Sequence, residues 1–324
     1  MGQLIRLRGA ARARADLSRL RWVWISHHHL DHHGGLGPLV EARAALRLRS
    51  PRPLLVIGPP SLRAYLDEHL GAVGMDEAEA AAQVRFVPCH DVGYVVPGAR
   101  ACPVAHCRDA YAIAFPVALL PGASAALPDE HYELLLRHQQ QFFQLRHQQQ
   151  SALVAHAYVN VAPPPPPPAP RPFAWLVYSG DTRPCPPMWH ALSAPPAQVG
   201  CAYSVLVHEA TFDDSMAEQA VKKRHSTVGE AMQAGRAMRA DLVLLTHFSQ
   251  RYPRLAVSGA AQRAPRFAVA SDLMALKLLP DREATLAQTD SLEGALSKLT
   301  AATLDDIDLD DNNDAGDVHG LYGR

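Results

Sequence analysis

Five short apolar runs recur along this chain, and each stops at a residue able to bind a metal or move a proton. They are Trp22–Ser26 before His27, Pro103–Ala105 before His106, Trp175–Gly180 before Asp181, Ser204–His208 before Glu209, and Leu242–Thr246 before His247. Apolar runs of this length, bounded by Gly, Pro or polar residues, suit strands buried on both faces. Helical patterns alternate with them over Gly35–Leu48, Ser61–Leu70, Met216–Lys223 and Thr227–Met238. This alternation predicts a layered α/β fold, in which ligands collect outside the strand ends. Convergence of the five strand ends on one edge would bring all five polar endings together.

The pattern breaks down between Pro116 and Pro172. That stretch holds a Gln/His tract, His138–Gln150, and a proline run, Pro163–Pro168. Polyproline cannot join a sheet and favours an extended rod. The chain therefore divides into a first part of the fold at 1–115, a low-complexity Gln/Pro-rich insertion at 116–172 and a second part at 173–303. An acidic tail at 304–324 is expected, like the insertion, to be disordered.

Composition adds three constraints. No apolar run reaches the roughly 18 residues that span a bilayer, so no membrane partner is expected. Five cysteines without a C-x-x-C pair argue against a disulfide framework and against a structural zinc knuckle. Seventeen histidines stand out, histidine being the commonest metal ligand. The net charge of −1 looks wrong for a nucleic-acid enzyme, but Asp305–Arg324 holds seven Asp and one Arg, leaving the remainder at +5. Before Trp22, six arginines (6, 8, 12, 14, 19 and 21) face only Asp16; they suit phosphate contact or a solvated helix face. The Arg-rich start also faintly resembles a transit peptide.

The sharpest motif is His27-His28-His29-Leu30-Asp31-His32, an H-x-H-x-D-H directly after a predicted strand. Residues two apart in an extended segment point the same way, so His27 and His29 can share one metal. Asp31 and His32, in the turn that follows, can reach a second metal. Imidazole and carboxylate donors together suit zinc, with manganese or iron also compatible. His106 can close the first shell, His247 the second, and Asp181 has two oxygens with which to bridge both. Alone, His106 or His247 would read as an ordinary histidine; their order and strand-end position give them weight.

Beyond that signature, His208-Glu209-Ala210-Thr211, His225-Ser226-Thr227 and Thr246-His247-Phe248-Ser249-Gln250-Arg251-Tyr252 make the chain similar to the C-terminal catalytic half of long-form tRNase Z. Val104–Cys107 and Ser179–Thr182 fit the same family in the same order, and the resemblance covers most of residues 1–279 outside the insertion. It implies a metallo-β-lactamase αββα sandwich with two zinc ions: His27, His29 and His106 on one, Asp31, His32 and His247 on the other, Asp181 bridging. It further implies that Glu209 and His225 form an acid–base pair, and that Asp31 helps accept a proton from the attacking water. The substrate implied is precursor tRNA, cut to leave a 3′-hydroxyl.

Only 26 residues precede His27, so the resemblance also implies a chain truncated at its N-terminus, lacking the first strands of the sandwich and the tRNA-gripping half. A homodimer, or a pseudo-dimer with the missing half, stays open, as do nucleus, mitochondrion and plastid. Two rival functions remain at this point. A small-molecule hydrolase on the same fold, glyoxalase II-like or arylsulfatase-like, explains the ligands but not the His-Ser-Thr and His-Phe-Ser-Gln-Arg-Tyr segments. An inactive remnant or RNA-binding piece would not be expected to keep every ligand position occupied.

Overall fold

The structure is a computed structural model that describes residues 5–6, 8–46, 52–119, 173–195, 200–249, 265–270 and 274–289. The Gln/Pro run at 120–172, the tail, Leu48 and Gln250–Tyr252 lie outside these residues.

Two sheets form. Strands β1 (Trp22–Trp24), β2 (Leu54–Gly58) and β3 (Val84–Pro88) make a parallel sheet in the order β1-β2-β3. Strands β4 (Arg100–Pro103), β5 (Tyr111–Ala118), β6 (Phe173–Tyr178), β7 (Cys201–Glu209), β8 (Leu242–Thr246) and β9 (Arg266–Val269) follow one another across a second sheet. There β5 runs antiparallel to β4 and β6, while β6 to β9 are mutually parallel. Hence β4, β6, β7 and β8 all end at the same edge.

The side chains of β2 show how the layers stack. All five of its residues are buried because alternate positions face different neighbours. Leu54 and Val56 pack with Leu36, Val40, Leu62, Leu66 and Leu70 of the helices Leu36–Ala44 and Ser61–Ala72. Leu55 and Ile57 pack with Ile113 of β5, and Trp22, Trp24 and Phe115 join the same cluster between the sheets. On the far side of the larger sheet, Trp175, Leu206 and Val243 pack with Met188, Leu192, Ala231 and Ala234 of the helices Pro186–Leu192 and Val228–Ala237. The layers are helix, sheet, sheet, helix, as expected.

Three local expectations shift. The strand before His106 is Arg100–Pro103, so Val104 and Ala105 already belong to the turn. The helix expected over Gly35–Leu48 ends at Ala44. The first part of the fold runs to Ala118, past Pro116, because β4 pairs with β5 only as far as Ala114; Pro116 lies beyond that pairing, opposite Trp175.

Candidate metal centre

The site lies where the two sheets meet at their carboxyl ends. The backbone of Tyr111, which opens β5, donates to the carbonyl of Ser26 at 2.9 Å, and Ile25 N donates to Ile57 O at 2.8 Å, so the segment leaving β1 is pinned to both sheets. His27 follows, fully buried, with Nδ1 3.0 Å from Ser26 Oγ. After His29 the chain coils into a single turn, Leu30–His33, which swings Asp31 and His32 round towards the same space. His33 Nδ1 donates back to the His29 carbonyl at 2.9 Å, bracing the loop.

The larger sheet supplies the other donors. His106 sits in the turn after β4, and Asp181 follows β6 by way of Gly180 at φ +59°. A Cβ on Gly180 would stand 2.9 Å from Ser26 Cβ, so only glycine fits this crossing of the two sheets. His247 follows β8 at φ +61°, a backbone that non-glycine residues rarely adopt outside functional sites.

Asp181 is the hub. Its Oδ2 lies 3.3 Å from His32 Nε2, 3.6 Å from the Nε2 atoms of His27 and His247, 3.8 Å from His106 Nε2 and 3.9 Å from His225 Nδ1. Donor atoms of His27, His29 and His106 fall within 4.8 Å of one another, and so do those of Asp31, His32 and His247. Every residue expected at the site is therefore brought into one cluster. Asp31 is the outermost, its side chain 71% exposed.

The buried Nε2 atoms of His27 and His32 and Oδ1 of Asp181 have no hydrogen-bond partner among the described residues. Leaving each unsatisfied costs about 1–3 kcal/mol, a penalty that a cation in their midst would remove. His106 Nε2 and His29 Nδ1 are 3.2 Å apart, close to the roughly 3.3 Å between neighbouring corners of a tetrahedron with zinc–nitrogen bond lengths. The donor set fits zinc.

Electrostatics agree. Burial opposes ionisation of Asp181, but contact with His32 and the charges of His247 and His27 outweigh it and hold the carboxyl below its usual range. Burial, aided by the charge of His32, drives His27 down to about 3, keeping it a neutral donor. Burial likewise lowers His29 and His106, whereas Asp181 raises His32 against burial.

Beside the hub lies a second constellation. Glu209, fully buried at the end of β7, accepts from His225 Nδ1 at 2.9 Å and from the backbone amides of Thr182 (2.8 Å) and Ser226 (3.1 Å). These contacts, led by His225, overcome the cost of burial and keep Glu209 ionised; in return Glu209 raises His225 against the same cost. Thr211 Oγ1 donates to Glu209 Oε2 at 2.7 Å and lies 2.8 Å from His247 Nδ1. With its proton committed to Glu209, the hydroxyl accepts from His247 Nδ1–H, leaving Nε2 of His247 free to bind a metal.

Several contributors are not evident from the sequence. Arg183 donates to the His225 carbonyl at 2.7 Å and forks onto Glu230, which also caps the helix Val228–Ala237 through Thr227. Arg224, at φ +59°, contacts His106 through both backbone and side chain, and Cys107 Sγ falls within 4.8 Å of the donors of His27, His29 and His106. Only contacts far apart in sequence reveal these roles. The Thr227-x-x-Glu230 capping box is the one signal that sequence could have offered.

Comparison with known proteins agrees with this geometry. Residues 2–79 match the metallo-beta-lactamase superfamily. A crystal structure of a long form RNase Z from yeast superposes with a TM-score of 0.56 at 18% identity, covering 87% of this chain and 36% of that one. The fold is the metallo-β-lactamase fold. Within it, the chain is similar to the tRNase Z proteins: 33% identical over 284 residues to tRNAse Z TRZ4, mitochondrial, of Arabidopsis thaliana, covering 79% of this chain and 28% of the relative. To the zinc phosphodiesterase ELAC protein 2 of Macaca fascicularis it is 32% identical, covering 78% of this chain and 26% of the relative. The chain thus spans under a third of the length of the curated relatives it matches.

Proposed function

We propose that this chain is the catalytic part of a zinc-dependent endoribonuclease that removes the 3′ trailer from precursor tRNA and leaves a 3′-hydroxyl on the tRNA. The observation that carries the reading is the Asp181 carboxylate, with an oxygen within 3.9 Å of ring nitrogens of five histidines and the Glu209–His225 pair at its side. Similarity to tRNase Z proteins on both sides of the insertion supports the choice of substrate.

In this reading His27, His29 and His106 hold one zinc ion, Asp31, His32 and His247 a second, and Asp181 is shared. Zinc bound there supplies Lewis-acid neutralisation of phosphate charge and lowers the pKa of water to near neutrality. The chain's own groups manage the protons. Asp31, at the open rim, accepts the proton released by the attacking water. Glu209 holds His225 protonated through Nδ1, so that Nε2–H is presented to the departing 3′ oxygen. Thr211, Ser226 and Thr182 keep Glu209 fixed while this occurs. Among the described residues no helix is long and apolar enough to cross a membrane. The mitochondrial names of the Arabidopsis and Drosophila melanogaster relatives support action in that compartment. Pairing into a homodimer or pseudo-dimer completes the proposal, with sedimentation as its check.

The purified chain, assayed on a precursor tRNA and on a thioester, tests the reading. Cleavage of the precursor at the trailer boundary, abolished by chelation and restored by zinc, supports it. Turnover of the thioester alone would overturn it.

A further inference from the structure

The turn that presents His106 also presents Cys107, and this residue has no part in the scheme above. Of the donor groups formed by the described residues, the one around the first metal position is the only one with four members: His27, His29, His106 and Cys107, all within 4.8 Å of one another. Asp181 and Asp31 are not in that group, so its composition is three imidazoles and a sulfur. Cys107 is half-buried, and its nearest polar neighbour is His28 Nδ1, at a loose 4.0 Å. Independently of the cysteine, the fully buried His27 turns an unpartnered Nε2 into the same group.

We infer that Cys107 is a thiolate ligand of the first metal ion, completing with His27, His29 and His106 a shell of three nitrogens and one sulfur. The inference rests on the cluster holding metal at all. Four donors of this kind suit tetrahedral zinc, with sulfur at about 2.3 Å and nitrogen at about 2.0–2.1 Å, and a modest inward rotation of the Cys107 side chain closes the shell. Coordination exchanges the thiol proton for the metal, and the proton leaves to solvent. The result is an asymmetric pair of positions. The first, with its soft sulfur, favours zinc or cadmium over manganese and magnesium; the second, made of Asp31, His32 and His247 with Asp181 adjoining, accepts harder ions. The other cysteines cannot substitute: Cys89, Cys102 and Cys185 are buried elsewhere, and Cys201, exposed, serves as an internal control.

Cobalt substitution of the metal-free full chain tests this without recourse to activity. The expected result is a near-ultraviolet thiolate-to-cobalt charge-transfer band that disappears in Cys107→Ser, which still binds cobalt through its histidines, and persists in Cys201→Ser. In the unmodified chain, zinc should slow alkylation of Cys107 by about tenfold or more while leaving Cys201 unchanged, a readout that needs no variant to fold. Cobalt bound without the charge-transfer band, a band that survives Cys107→Ser, or alkylation of Cys107 indifferent to zinc would overturn the thiolate ligand and leave the metal centre standing. A chain that binds no cobalt at all would overturn both.

Discussion

His106 and Arg224 hold each other by two hydrogen bonds: the His106 ring donates from Nδ1 to the Arg224 carbonyl at 2.8 Å, and the Arg224 guanidinium returns one to the His106 carbonyl at 2.9 Å. The first bond fixes the tautomer that leaves Nε2 facing Asp181; the second fixes the backbone that carries the ring. Because Arg224 adjoins His225, the clasp also ties a metal donor to the loop of the acid–base pair.

Arg224→Gly should therefore weaken zinc binding by about 10–100-fold, the usual cost of losing a group that orients a ligand. Glycine accepts the φ of +59° at this position, so the change removes the guanidinium without backbone strain. Competition with a chromophoric chelator measures the effect. Unchanged affinity would show that the guanidinium contact is idle.

Thr211→Val keeps the shape of the side chain but strips Glu209 Oε2 and His247 Nδ1 of a shared partner. A loss of about 1–3 kcal/mol in unfolding free energy is expected. Metal content should fall towards one ion per chain, while Thr211→Ser should restore both properties. Urea titration and elemental analysis check the pair.

Gly180→Ala should be worse than its size suggests. It adds a methyl group 2.9 Å from Ser26 Cβ, at a left-handed backbone position, and displaces the neighbouring Asp181. The expected destabilisation is about 2–4 kcal/mol, read as a fall in the thermal midpoint. A midpoint within a degree of the parent would contradict the tight crossing described here.

Asp181→Ala and His225→Ala should separate two roles. The first removes the shared carboxylate and should abolish cleavage together with zinc retention. The second should slow cleavage by about 100-fold or more while bound zinc stays near normal. Equal loss of zinc in both variants would remove His225 from its proposed role as proton donor.

Much of this architecture is legible in the chain itself. The run Leu242–Thr246 coincides with β8, and the runs ending at Asp181 and Glu209 lie on β6 and β7. These are buried parallel strands, whose unbroken apolar character gives them away. The strands that escape notice have reasons of their own. The Leu54–Gly58 run that forms β2 ends in no chemistry-bearing residue, so nothing draws attention to it. β5 contains Pro116, which reads as an interruption until β4 is seen to stop short of it. The metal donors are legible because H-x-H-x-D-H is a local pattern. Arg183, Arg224 and Thr211 are not, since each acts on a residue that only the fold brings close.

The hydrogen bond from Tyr111 to Ser26 marks a seam: donors on one side of it, His27, His29 and His32, hang from the smaller sheet, and His106, Asp181 and His247 hang from the larger. A cation gripped from both sides would act as a rivet through the sandwich. Removing it would loosen the two halves against each other as well as silence the chemistry, so resistance to unfolding and the capacity to cut should fail together when metal is scarce.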